Sequence, residues 1–140
     1  MILQVGVKVL LRNPEGKILI LRRSEEKCGK ASGSWDIPGG RIDVGTPLLQ
    51  NLEREVLEET KLSLTSSPKL IAAQDIIRGE EKHVVRLTYV AQTKGEPVLD
   101  GSEHENYKWV SFSELKNESD LDTYVRDLLE DGIITEDSWN

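Results

Sequence analysis

The chain has 140 residues, 37% hydrophobic and 31% charged, which fits one domain over 1–140 with enough Val, Ile and Leu for a core and no need of a disulfide or metal staple. The formal net charge is −7 with no basic stripe, which argues against nucleic-acid polymers as partners because their affinity rests on Lys/Arg–phosphate contacts, while a small anionic ligand stays allowed. Only one cysteine is present, Cys28, so an intrachain disulfide is excluded and a reducing, cytoplasmic setting is expected; no run of about 18 apolar residues could span a membrane, and MILQVGVKVLLRN has neither the basic start nor the cleavage site of a signal peptide.

Charge is unevenly spread. Residues 96–140 hold 13 acids against Lys108, Lys116 and Arg126, whereas residues 1–95 hold 15 bases against 12 acids. An acidic tail of this kind reads as solubility.

In chain order, residues 3–11 place Val5, Val7 and Val9 on one face of a half-buried strand. Asn13-Pro14-Glu15-Gly16 suits a type I turn, and residues 17–22 return as a second strand. Residues 24–34 are polar and glycine-containing and read as a mobile loop. Trp35-Asp36-Ile37 is short and extended, and Pro38-Gly39-Gly40 is a sharp backbone feature. Thr46-Pro47 opens a helix to about residue 61, with Thr46 as cap and Pro47 in the first turn. Residues 69–78 and 82–93 form two strands around Gly79-Glu80-Glu81, and residues 106–110 another. The C-terminal segment, about 111–131, is helical: a short helix over 111–117 and a longer one over 120–131. Strands with a central helix and a helical C-terminus give a mixed α/β or α+β domain.

The central helix carries the chemistry. On a wheel, Leu48, Leu49, Leu52 and Val56 fall within an arc of about 100°, the core-facing stripe. Glu55, Glu58 and Glu59 flank it, with Glu59 inside its span. Glu55 meets Glu58 at i,i+3 and Glu59 at i,i+4, and each like-charge pair costs about 0.2–0.5 kcal/mol. Arg54 can relieve Glu58 but not all three. A divalent cation would resolve the conflict, and carboxylates without His or Cys alongside suit Mg2+ or Mn2+, not zinc. The spacing alone supports an ordinary solvated Glu-rich helix equally well. Gly39-Gly40 just upstream leaves backbone open to a ligand, and Mg2+ held by few carboxylates usually takes substrate phosphates as further ligands.

Residues 40–62, GRIDVGTPLLQNLEREVLEETKL, resemble the signature of the Nudix hydrolase family (MutT-like nucleotide pyrophosphohydrolases): Gly40, Arg54, Glu55, Val56, Glu58, Glu59 and Leu62 match in register. Thr46 stands where the pattern has Glu, and Lys61 where it has Gly. The resemblance extends over about residues 3–117. It implies an α/β/α sandwich with a mixed sheet, and Mg2+-dependent (Mn2+ as substitute) hydrolysis of a nucleoside diphosphate linked to another group. It implies Glu55 and Glu59 as metal ligands with the Gly40 carbonyl, Glu58 as a further ligand or the base, Glu103 as ligand or base from the loop before the last strand, and Arg54 as the residue that orients the glutamates. Glu105 is a weaker version of Glu103. Thr46 and Pro47 still make a helix start. Lys61 either adopts the left-handed terminus, at about 1 kcal/mol, or lengthens the helix.

The substrate expected is a nucleoside triphosphate, including damaged ones. Alternatives are ADP-ribose or a dinucleoside polyphosphate, or, from another class, a nucleotide-binding or regulatory module with weak turnover. The partners expected are a small nucleotide, no nucleic-acid polymer and no membrane, with the chain a monomer or homodimer. Arg22, Arg23, Lys27 and Lys30 surround the mobile loop and are candidates for phosphate contacts or for solvated charge. Tyr89 and Tyr107 are candidate base-stacking rings. Trp35 and Trp109 read as packing, and His83 and Cys28 as bystanders.

Overall fold

A computed structural model describes residues 1–24 and 35–140. The loop expected over 24–34, with Lys27, Cys28 and Lys30, therefore lies outside the described residues except for Ser24.

The strands are β1 (Ile2–Arg12), β2 (Ile18–Arg23), β3 (Trp35–Asp36), β4 (Gly39–Arg41), β5 (Lys69–Arg78), β6 (Lys82–Gln92) and β7 (His104–Val110); the helices are α1 (Leu48–Thr60), α2 (Phe112–Lys116) and α3 (Thr123–Glu130). A 3-10 turn at Glu136–Trp139, not expected from the sequence, ends the chain. It is tied back by the Trp139 indole N–H, which donates to the Leu10 carbonyl at 3.1 Å.

The sheet is mixed. β1 pairs in parallel with β6 over its whole length, from Ile2 opposite Lys82 to Arg12 opposite Gln92. Every other pairing between strands is antiparallel. The β1–β2 hairpin is joined only near its turn, where the Asn13 side chain accepts from Glu15 and Lys17 N–H and Gly16 N–H donates to the Asn13 carbonyl. The two strands then part, and β4 takes the vacated edge of β1, with Gly39 opposite Lys8 and Arg41 opposite Gly6. That splaying opens the sheet where the candidate site forms.

Helices cover both faces. Leu52 and Val56 of α1 pack on Val7, Val9, Leu11 and Leu21. Leu115 of α2 and Val125, Leu128 and Leu129 of α3 pack on Leu10, Ile20, Val90 and Trp35. The result is an α/β/α sandwich. β1 turns Val7, Val9 and Leu11 to the α1 side, with Val5 half-buried, while its other face carries Leu10 in the second core and Gly6 and Lys8 in the cleft wall.

Two expectations about α1 are corrected. Leu48 and Leu49 are exposed, not core-facing; the buried side of α1 is Asn51, Leu52, Val56, Glu59 and Thr60. Nor does Thr46 cap the helix: Pro47 occupies the N-cap position, and no side chain caps it. Asn51 works from inside instead. Its amide donates to the Thr46 and Pro47 carbonyls at 2.7 and 2.8 Å and accepts from Asp43 N–H at 2.9 Å. At the other end Lys61 takes the left-handed conformation (φ 62°, ψ 14°) that glycine usually fills, so the helix stops at Thr60 and does not lengthen.

Candidate active site

Register places the parts. With Gly39 opposite Lys8, β4 brings its backbone against the last two turns of α1. Gly39 N–H donates to Glu59 Oε1 at 2.7 Å. Gly39 has φ 144°, and a Cβ there would run into the Val7 carbonyl and the Lys8 stem, so only glycine fits. A Cβ on Gly40 would lie 2.6 Å from Glu55 Oε2; the absent side chain is the space that the Glu55 carboxylate fills.

The three helix glutamates have different surroundings. Glu59 is buried. Glu55 has a side chain 15% exposed, while that of Glu58 is 59% exposed. Arg54 spans the outer side, with its guanidinium 3.1 Å from Glu55, 3.4 Å from Glu58, 3.4 Å from Asp43 and 3.1 Å from Asn51 Oδ1. It pairs with Glu55 and Glu58 and lines neither depression of the site.

Glu103 arrives from the loop before β7, held by Ser24 N–H donating to its carbonyl at 2.9 Å. One carboxylate oxygen each from Glu59 and Glu103 and a ring nitrogen of His104 lie within 4.8 Å of one another. His104 is a correction: the sequence reading had no histidine beside the carboxylates. Glu105 instead turns outward to Arg22 at 3.2 Å.

Burial drives the electrostatics. It pushes the Glu59 carboxyl up to about 8, against Lys8 and the Gly39 N–H, which pull it down. It also raises Glu55, against the attraction of Arg54. Burial, helped by the Lys8 charge, brings His104 down to about 4. At neutral pH the contact of 3.5 Å between His104 Nε2 and Glu59 Oε2 therefore joins two neutral groups and is not an ion pair. His104 Nδ1 is buried without a partner among the described residues. A buried carboxyl kept from ionising, with further oxygens converging on it, fits a divalent cation. The carboxylates of Glu55, Glu59 and Glu103 are oxygen donors of the kind that Mg2+ or Mn2+ takes.

Beside this cluster runs a cleft of about 520 Å3, whose walls include Lys8, Arg23, Asp36, Arg41, Arg78, Arg86, Asp122, Tyr124 and Glu103. Its walls carry five bases, Lys8, Arg23, Arg41, Arg78 and Arg86, against the three acids Asp36, Glu103 and Asp122, in a chain of net charge −7. Four of these residues close a ring of ion pairs: Arg23–Asp36 at 2.6 Å, Asp36–Arg86 at 3.4 Å, Arg86–Asp122 at 3.0 Å and Asp122–Arg23 at 3.0 Å. Asp122 also caps α3, accepting from Tyr124 and Val125 N–H. Burial alone would raise the Asp36 carboxyl, but Lys8, Arg86 and Arg23 outweigh it and hold it well below the usual range.

Of the other sequence candidates, Arg23 lines the cleft and Arg22 does not. Tyr89 packs in the α1-side core and the Tyr107 hydroxyl donates to Glu96, so neither reaches the cleft; its ring is Tyr124. His83 pairs with Asp75 across β5 and β6 at 2.7 Å. Trp35 is buried in the core and Trp109 packs at the edge of the other, donating to Glu96. No signal in the sequence joins Lys8, Asp36, Arg86 and Asp122; they meet because the sheet sets β1 beside β6 and β3 beside β2, and Asp122 N–H donates to the Trp35 carbonyl of β3.

Comparison with known proteins agrees with this arrangement. A sequence model described as the NUDIX domain matches residues 2–131. A Bacillus subtilis protein assigned as an 8-oxo-dGTP diphosphatase is 33% identical over 110 residues, 79% of this chain and 68% of that one. The Escherichia coli nucleoside triphosphatase NudI is 27% identical over 115 residues, 76% of this chain and 80% of its own. The crystal structure of a MutT protein from Methanosarcina mazei superposes with a TM-score of 0.77 at 30% identity, covering 92% of this chain and 91% of that one. The chain belongs to the Nudix hydrolase family.

Proposed function

We propose that this hydrolase cleaves the anhydride linkage of nucleoside triphosphates, oxidised ones included, with Mg2+ as its cofactor. The observation that carries the reading is the buried Glu59 carboxyl, held by Gly39 N–H and raised to about 8, with Glu55, Glu103 and the Gly40 backbone around it. The names of the two relatives, a diphosphatase of 8-oxo-dGTP and a nucleoside triphosphatase, support the triphosphate over ADP-ribose. One domain spanning 1–140 in the cytoplasm goes with this reading.

Glu55, Glu59 and the Gly40 carbonyl would hold the metal, with Glu58 as a further ligand from the outer side. A divalent ion there would neutralise phosphoryl charge and lower the pKa of a bound water. Glu103, exposed at the edge of the cleft, takes the water proton. Glu58 is the other candidate base, but it lines neither depression and is tied to Arg54. Arg54 fixes the glutamates through Asn51 and Asp43. Thr46 and Lys61 leave α1 and its carboxylates in place, so the family departures do not by themselves imply a binding module.

A panel of nucleoside triphosphates, ADP-ribose and dinucleoside polyphosphates, assayed with Mg2+ and with chelator and with products identified, tests the reading. Metal-dependent turnover should be greatest on a triphosphate. Preference for ADP-ribose, or no turnover of any of them, would contradict it.

A further inference from the structure

The ion-pair ring beside the candidate site is electrically closed, since Arg23 and Arg86 each face Asp36 and Asp122. Lys8 is the odd cation. Its Nζ reaches Asp36 Oδ2 at 3.0 Å, on the oxygen that Arg23 already uses, and donates to the Ile37 carbonyl at 3.1 Å. An ammonium carries three donors, and the third meets no acceptor among the described residues. The side chain is only 20% exposed, so this surplus charge is largely withdrawn from water. Donors withdrawn from water are ordinarily satisfied, so a free ammonium N–H in a cleft wall has room for an anionic oxygen.

Its location says which anion. Lys8 stands opposite Gly39, whose amide holds Glu59, and its stem lies against Gly39, where a Cβ would collide with it. Both the large cleft and a smaller depression of about 190 Å3 that contains Glu59 and His104 have Lys8, Arg23, Asp36 and Glu103 in their walls. Lys8 therefore stands where the carboxylate cluster meets the cleft. Among the described residues only the Asp36 carboxylate lies within ion-pair reach of Lys8, and Arg23 uses the same oxygen.

We propose that Lys8 is a substrate-binding residue whose Nζ contacts a non-bridging oxygen of the substrate's phosphate chain, where that chain leaves the metal cluster and enters the cleft. This rests on the proposed nucleotide hydrolysis. It assigns Lys8 to the phosphates, not to the base, and so makes the site selective for a chain longer than the metal alone would hold.

The test compares wild type with Lys8→Met and Lys8→Gln on the best nucleotide from the panel, with inorganic tripolyphosphate as a competing ligand that has no base. Mn2+ affinity without nucleotide is measured alongside by calorimetry. Losing one charge-assisted hydrogen bond should raise KM for the nucleotide and Ki for tripolyphosphate about tenfold or more. The Mn2+ affinity should not fall, because a like charge has been removed from beside the metal. Lys8→Arg should recover most of the loss. A folded Lys8→Met or Lys8→Gln with unchanged Ki for tripolyphosphate would overturn the assignment. So would a loss of Mn2+ affinity large enough to account for the whole effect, since Lys8 would then act on the cluster and not on the phosphates. A wild type inactive on every nucleotide would contradict the proposed function itself, before any variant is compared.

Discussion

Gly39 N–H and Glu59 Oε1, 20 residues apart in sequence, meet at 2.7 Å and fix a buried carboxylate between strand β4 and helix α1. The amide is available because Gly39 has φ 144° and no side chain. Gly40 has a different task, leaving room for the Glu55 carboxylate. The two adjacent glycines should therefore respond differently to alanine. Gly39→Ala drives a Cβ into backbone and should cost ~3 kcal/mol or more, in the range of severe core lesions. Gly40→Ala meets only the end of a side chain, so it should melt within a few degrees of wild type and yet lose most turnover as Glu55 is displaced. Thermal melts and kcat measured together check both.

Glu59 and His104 set a pH dependence of stability in the metal-free protein. The Glu59 carboxyl is raised from 4.5 to about 8 in the folded chain, so folding holds a proton there that the unfolded chain has released. Its contribution is full below 4.5 and is lost as pH rises to 8. His104 is lowered from 6.5 to about 4, so its contribution is full above 6.5 and is lost as pH falls to 4. The two slopes oppose each other between 4.5 and 6.5, which leaves the net fall between about 6.5 and 8. One proton corresponds to at most about 1.4 kcal/mol per pH unit. Glu59→Gln should abolish the fall above 6.5 and uncover the rise due to His104 below it. Urea midpoints against pH for the two proteins measure this; parallel profiles would refute the assignment.

Metal binding should then release a proton at pH 7, because a ligating Glu59 must ionise. Calorimetric titration with Mn2+ in two buffers of different ionisation enthalpy counts that proton. Glu59→Gln should bind more weakly and release none.

How far the sequence reached depends on how local each feature is. That Glu55 and Glu59 lie on one side of a helix was legible from their spacing, whereas the outward position of Glu58 beside Arg54 was not. Glu103 was reached by resemblance. The Arg23–Asp36–Arg86–Asp122 ring was not legible, because its members sit on three strands and a helix cap and meet only through sheet pairing. The wheel misplaced Leu48 and Leu49 because angle alone does not say where along its length a helix meets the sheet. Thr46 looked like a cap because its type and the following proline fit one, while the actual donor, Asn51, lies a turn inside the helix.

Stability at the start of α1 should therefore depend on Asn51 and not on Thr46. Thr46→Ala should change stability by less than about 0.5 kcal/mol, because the half-buried Thr46 side chain makes no cap hydrogen bond to lose. Asn51→Ala breaks buried hydrogen bonds to Thr46, Pro47 and Asp43 and should cost about 1–3 kcal/mol. Lys61→Gly should stabilise by about 1 kcal/mol, since only Lys61 among the described non-glycine residues has positive φ. Denaturant unfolding of the three variants ranks them.

Glu103 and Glu105 separate by surroundings, since Glu103 lines the cleft and Glu105 pairs outward with Arg22. Glu103→Gln should lower kcat at least tenfold with little change in KM, as befits an interaction made in the transition state, while Glu105→Gln should stay near wild type. Assays at low and high Mg2+ decide the role. A defect that persists at high Mg2+ marks Glu103 as the base, and rescue by metal marks it as a ligand and moves the base to Glu58.

Nucleotide hydrolysis should depend on a metal held by the buried carboxylate cluster. The most direct measurement is kcat on the preferred triphosphate for wild type and Glu59→Gln, across a Mg2+ titration carried to saturation. A fall in kcat of several orders of magnitude that saturating Mg2+ does not restore, in a variant that melts no lower than wild type, is the result expected. Near-wild-type turnover by Glu59→Gln at saturating Mg2+ would contradict it.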